Sequence, residues 1–186
     1  MEDDALMNEI LANEALTLGH WQTEAEAEEF FVSFALRSGL FKPYRQVKGE
    51  PLCKHHFQQA KGVRADVLLF PTPRLVAAGW QDGCIVVEVK RSGEKIGPGL
   101  NQLLDYMNTA WFVPGGAVVP GFGFLFPAPK QHGPLASLMA HQHIGTVALY
   151  REHMRFLCGE ARVLQFSADG QFALGRRDFG HKTGAR

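Results

Sequence analysis

Val63-Arg64-Ala65-Asp66-Val67-Leu68-Leu69-Phe70 and, beyond a Pro71-Thr72-Pro73 break, Cys84-Ile85-Val86-Val87-Glu88-Val89-Lys90 are the stretches on which the fold turns. Each holds a run of four apolar residues. Such runs in neighbouring strands mean burial on both faces, hence two central strands. Gln81-Asp82-Gly83 turns the chain between them. Each stretch also carries an acid where an apolar residue would be expected. With the strands antiparallel and Phe70 opposite Cys84, Asp66 falls opposite Glu88 on one face, with β-carbons about 4.5–5.5 Å apart. Lys90 shares that face and Val89 points the other way.

Upstream, Thr23 to Ser38 predicts a helix. Thr23 suits the N-cap, acids crowd the first turn, and Gly39 supplies the stop. Ala27, Phe30, Phe31, Phe34 and Ala35 form its apolar stripe. A shorter helix is expected around Ala5–Leu16 and a strand over Tyr44–Lys48. Downstream, a loop with Gly93, Gly97 and Gly99 leads into a helix over Leu100–Phe112. Phe122, Phe124 and Phe126 recur with period two as a strand, and their stripe is expected in the core rather than stacked on bases. Leu135–Ala140 reads as a short helix. Thr146–Tyr150, Met154–Leu157, Val163–Phe166 and Gln171–Leu174 read as strands, with an Asp169-Gly170 hairpin. The expected architecture is α/β, a mixed central sheet flanked by helices with a strand-rich C-terminal part.

Composition narrows the class. The chain has 186 residues, 46% hydrophobic and 20% charged, which suits one domain over residues 1–186 and excludes a disordered chain. The uncharged stretch from Asn108 to Pro129 is broken by Pro114, Pro120 and Pro127 and by several glycines, so it predicts no membrane span. The Met-Glu-Asp-Asp start shows no secretory signal, and three scattered cysteines (Cys53, Cys84, Cys158) form no disulfide framework. A soluble cytoplasmic protein is expected. Net charge is zero, yet residues 1–30 hold nine acids and no Lys or Arg, leaving 19 basic and 10 acidic groups in the remainder. A basic body is compatible with a polyanion partner.

Two carboxylates as close as Asp66 and Glu88 repel each other unless a cation lies between them. A hard divalent ion with oxygen ligands, Mg²⁺ above all, is the economical solution. A lysine beside it can hold the attacking water and balance charge on a phosphate. The arrangement points to metal-assisted phosphodiester hydrolysis. Cys53, His55 and His56, and later His132, His141 and His143, reproduce no four-ligand zinc spacing.

Gly62-Val63-Arg64-Ala65-Asp66 followed by Glu88-Val89-Lys90 resembles the PD-(D/E)XK nuclease superfamily. Gln102-Leu103-Leu104-Asp105-Tyr106 matches the QxxxY motif of its RecB-type exonucleases, and i, i+4 spacing puts Gln102 and Tyr106 on one helix face. The resemblance covers residues 24–106. Ala65 stands where the first motif often has proline, and the cysteines that hold an iron–sulfur cluster in some QxxxY relatives are missing. The resemblance implies a restriction-endonuclease-like fold and a Mg²⁺ cofactor, with Mn²⁺ as substitute. It implies Asp66, Glu88 and a first-helix glutamate as metal ligands, with the Val89 carbonyl as a further one. Lys90 would position the water, and Gln102 and Tyr106 would orient the lysine strand or a substrate phosphate. Spacing to Gly39, as in junction-resolving members, selects Glu28, with Glu24, Glu26 and Glu29 open. Arg64, Arg91 and Lys95 lie on or beside the motif strands and are candidates for contacting a nucleic-acid backbone. The expected partner is DNA, with RNA, the choice between exonuclease and endonuclease, and a homo-oligomer left open. The alternative is a catalytically silent module that kept the fold for binding or assembly.

Overall fold

The computed structural model describes residues 20–45, 53–54, 65–128, 139–159 and 161–175. In chain order they form helix α1 (Glu24–Arg37), strands β1 (Phe41–Tyr44), β2 (Cys53–Lys54) and β3 (Val67–Pro71), short helix α2 (Pro73–Ala77) and strand β4 (Ile85–Val89). Helix α3 (Ile96–Met107) and strands β5 (Thr109–Val113), β6 (Gly116–Val118) and β7 (Phe122–Phe126) follow. The last four strands are β8 (Ile144–Tyr150), β9 (His153–Cys158), β10 (Ala161–Ser167) and β11 (Phe172–Leu174). The fold is α/β, with a mixed eight-stranded sheet in the order β1-β3-β4-β7-β8-β9-β10-β11. β4, β7 and β8 run parallel, and every other neighbouring pair is antiparallel. The parallel step from β4 to β7 needs a crossover, which α3 and the β5–β6 hairpin supply.

Helix α1 begins as its sequence dictates. The Thr23 hydroxyl accepts the Glu26 N–H at 3.2 Å while the Glu26 carboxylate accepts the Thr23 N–H at 3.2 Å, a complete capping box. At the other end Gly39 adopts φ +64°, the left-handed stop that glycine accepts without strain. Ala27, Phe31, Phe34 and Ala35 are buried and Phe30 packs beside them. The sheet curls round this stripe. Phe41, on one edge strand, reaches Phe156 of β9 and Phe166 of β10 with ring centroids 5.9 and 5.5 Å away. Arg74 closes the same approach by donating to the Gly170 carbonyl at 2.9 Å. Phe156 is fully buried and also meets Phe124 at 4.6 Å, so Phe156→Ala should cost about 3–5 kcal/mol. Urea unfolding of the variant checks this, and a loss under about 1 kcal/mol, the scale of an ordinary surface change, would show that the curl does not depend on this ring.

Most expected elements appear with shifted ends. The strand expected from Tyr44 begins at Phe41, and the two central strands run from Val67 to Pro71 and from Ile85 to Val89. Residues 46–48, 63–64, 129–138 and the expected Ala5–Leu16 helix lie outside the described residues. Phe122, Phe124 and Phe126 are all core residues, at most 2% exposed. One expectation is corrected. The helix read over Leu100–Phe112 ends at Met107, capped by Asn108, and Thr109–Val113 is a strand. Its residues pair with Cys53–Lys54 on one side and with β6 on the other. That pairing and the burial of Thr109 and Trp111 override a helical continuation. Among the described residues no helix is long and apolar enough to cross a membrane.

Candidate active site

The site grows out of the register between β3 and β4. Val67 faces Val87, Leu68 faces Val86 and Leu69 faces Ile85, the register that sets Asp66 opposite Glu88. Ile85, Val87 and Val89 point into the aromatic core with α1. Val86 points into a second cluster with Leu100, Leu103 and Tyr106 of α3. Alternation puts Glu88 on this α3 side, where it is 1% exposed. Asp66 stands just before the ladder, and its Oδ2 accepts the Val89 N–H at 2.8 Å. The aspartate is thereby fixed against the strand that carries the glutamate.

Lys90 leaves the end of β4 with its backbone N–H donating to the Phe126 carbonyl at 2.8 Å. Its Nζ donates to Glu88 Oε1 at 2.5 Å and to Glu24 Oε1 at 3.3 Å. The aliphatic stem runs beneath the first turn of α3. A β-carbon at Gly99 would lie 2.8 Å from the end of the Leu125 side chain and 3.7 Å from the Lys90 stem, so helix and lysine are close-packed here.

Burial sets the electrostatics. The Glu88 carboxyl is pushed up to about 7, first by desolvation and then by the charge of Asp66, against the pull of Lys90. Asp66 is also raised by burial, opposed by the Val89 N–H and Lys90 and reinforced by Glu24. For Lys90, burial disfavours the charge, but Glu88 and Glu24 outweigh it and the net shift is upward. Burial raises the Tyr106 hydroxyl, the charges of Glu88 and Asp66 add to this, and Gln102 hydrogen-bonds to it. Glu88 Oε2 is buried without a hydrogen bond among the described residues, a costly state for a carboxylate oxygen.

Asp66, Glu88, Lys90, Tyr106 and Gln102 therefore meet in one place. On α1, the glutamate in contact with Lys90 is Glu24. Glu28, the choice from spacing, pairs with Arg45 Nε at 3.0 Å, and Glu29 pairs with Arg45 Nη2 at 2.8 Å. Glu26 is occupied in the cap. Sequence reasoning had not singled out Arg45, whose signal is its place at the end of β1 beside an acid-rich helix. Arg91 and Lys95 lie on the exit loop, where Arg91 Nε donates to Glu94 Oε1 at 2.7 Å. Arg64 lies outside the described residues. Among the described residues no three His, Cys, Asp or Glu side chains group closely enough to hold an ion by themselves; the carboxylates that meet are Asp66 and Glu88. Comparison of the chain with protein-family models, with curated proteins and with solved structures finds no match.

Proposed function

We propose that this chain is a Mg²⁺-dependent nuclease that hydrolyses phosphodiester bonds in DNA, built on a restriction-endonuclease-like core. One observation carries the proposal: the half-buried carboxylate of Asp66, just before β3, faces the buried carboxylate of Glu88 on β4, and a lysine two residues beyond Glu88 rests on its carboxylate. The order α1, β1, β3, β4, α3, β7, with three antiparallel strands followed by a parallel fourth, supports the same core.

The residues present fit a hard divalent ion. They offer oxygen donors, one of them the unpartnered Glu88 Oε2, and Mg²⁺ is commonly held by one or two carboxylates with water and substrate phosphate completing the shell. Asp66 and Glu88 would hold it, with the Val89 carbonyl as the further ligand that the superfamily resemblance implies. Such an ion, Mg²⁺ or Mn²⁺, supplies Lewis-acid polarisation of the phosphoryl oxygen and a lowered pKa for water. Lys90 holds the attacking water and faces the charge that builds on the phosphate. Glu24 steadies Lys90, and Tyr106 with Gln102 packs the α3 side of the pair.

Binding of Mn²⁺, followed by electron paramagnetic resonance, tests the ligand set. Wild type and Glu24→Gln should bind the ion, with Glu24→Gln losing about tenfold or less in activity because its contact is a half-exposed ion pair. Asp66→Asn should weaken binding by about 10-fold or more. Glu28→Gln should keep the ion, since its carboxylate is engaged by Arg45. Loss of Mn²⁺ in Glu28→Gln would return the first-helix ligand to Glu28, and undiminished binding by Asp66→Asn would remove the metal site from β3 and β4.

A further inference from the structure

Beyond Lys90 the chain builds a second feature. A cleft of about 510 Å³ opens between the segment entering α1 and the loop leaving β4, lined by His20, Trp21, Gln22, Arg91, Ser92, Gly93, Glu94 and Lys95. Its floor is fixed by a reciprocal clasp. The Trp21 N–H donates to Ser92 Oγ at 2.9 Å, and the Ser92 N–H donates to the Trp21 carbonyl at 3.1 Å. The Trp21 ring is anchored on Phe30 and Phe126, at 5.2 and 4.9 Å between centroids. The clasp joins the residue two before the N-cap Thr23 to the residue two after Lys90, so cleft and acid–lysine cluster share one frame.

We infer that this cleft is a nucleotide subsite, which seats the nucleotide of the substrate strand next to the scissile phosphate; it rests on the nuclease proposal for the choice of ligand. Position is the first reason. Arg91 and Ser92 follow Lys90 directly in the chain, so a phosphate held over Lys90 would have the cleft beside it. Size is the second, since the cleft falls within the roughly 300–1,000 Å³ of small-ligand sites. Chemistry is the third. Lys95 and Arg91 are exposed cations on the rim, and the Arg91 fork is oriented by its Nε bond to Glu94. A guanidinium so held can present its remaining N–H groups to phosphate oxygens. Gln22 and His20 add exposed polar side chains suited to a sugar or base edge. Gly93 adopts φ +84°, and a β-carbon there would meet nothing within 4 Å, so the loop backbone itself is open to a ligand.

Trp21, 9% exposed, lines this cleft, whereas Trp80 and Trp111 lie elsewhere in the core. The experiment titrates thymidine 5′-monophosphate, thymidine and inorganic phosphate into the full chain in EDTA, following tryptophan fluorescence, with Trp21→Phe as the signal control. The nucleotide should give saturable quenching that is lost in Trp21→Phe, and thymidine and phosphate should each bind more weakly. Lys95→Glu, an exposed change, should weaken nucleotide binding about tenfold, the scale of one hydrogen bond to a charged group. No saturable quenching, phosphate binding as tightly as the nucleotide, or full affinity in Lys95→Glu would each overturn the subsite. Oligonucleotide cleavage by a chain that ignores the mononucleotide would overturn the subsite and leave the nuclease proposal standing. Mononucleotide binding by a chain that cleaves nothing would overturn the nuclease proposal, and with it the place beside a scissile phosphate, and leave a nucleotide-binding cleft standing.

Discussion

Lys90→Ala should remain folded, bind DNA within about threefold of wild type, and cleave it about 10²–10³-fold more slowly, the range for losing one group that stabilises transition-state charge. Lys90 is the cation that touches Glu88, and its side chain is only 16% exposed. Binding should change little because Arg91, Lys95 and other basic groups would remain to meet the phosphate backbone, and that sum dominates affinity. Folding should survive because Glu88, already raised to about 7, can take up a proton when its cation is removed. Single-turnover cleavage and binding measured on the same labelled oligonucleotide separate the two effects. Near wild-type cleavage by the variant would make Lys90 a structural ion-pair partner.

Glu88→Gln should abolish metal-dependent cleavage and at the same time remove a pH dependence from the metal-free protein. The sign follows from the direction of the shift. Folding raises Glu88 from 4.5 to about 7, so between those values the native state holds a proton that the unfolded chain has lost. Stability in EDTA therefore falls as pH rises from about 4.5 to 7. Asp66 and Glu88 shift each other, so the glutamine variant removes the Glu88 contribution together with its hold on Asp66. Urea midpoints at pH 5 and pH 8 should diverge more in wild type than in Glu88→Gln, and Mg²⁺ should close the gap by stabilising the ionised form. Equal pH dependence in the two proteins would mean that Glu88 is not buried against Asp66.

Much of this arrangement is legible in the residues before any coordinates are seen. Two apolar runs that each end on an acid admit one antiparallel register in which the acids meet, and a slip by one residue would turn either run's side chains to the other face. The capping box, the Gly39 stop and the Phe stripe of α1 are equally local and equally readable. The β5–β6 hairpin is not. Trp111-Phe112-Val113 follows a helical pattern without a break, and it is pairing with β6, together with the pairing of Thr109 and Ala110 with distant Cys53–Lys54, that makes the segment a strand. The role of Glu24 is hidden for a related reason. Helical periodicity brings several glutamates near the edge of the apolar stripe, and the one that meets Lys90 does so across 66 residues of chain. The Trp21–Ser92 clasp fixes the first turn of α1 beside the exit of β4, and Arg45 engages Glu28 one turn later.

The most direct measurement is cleavage of end-labelled single-stranded, duplex and branched oligonucleotides by the wild-type chain in Mg²⁺, in Mn²⁺ and in EDTA, with Lys90→Ala alongside. A nuclease centred on Asp66, Glu88 and Lys90 yields products from at least one substrate with either ion, none in EDTA, and almost none with Lys90→Ala. Binding of DNA without product at any metal concentration would instead make the chain a binding module, and cleavage that persists in EDTA or in Lys90→Ala would place the chemistry elsewhere.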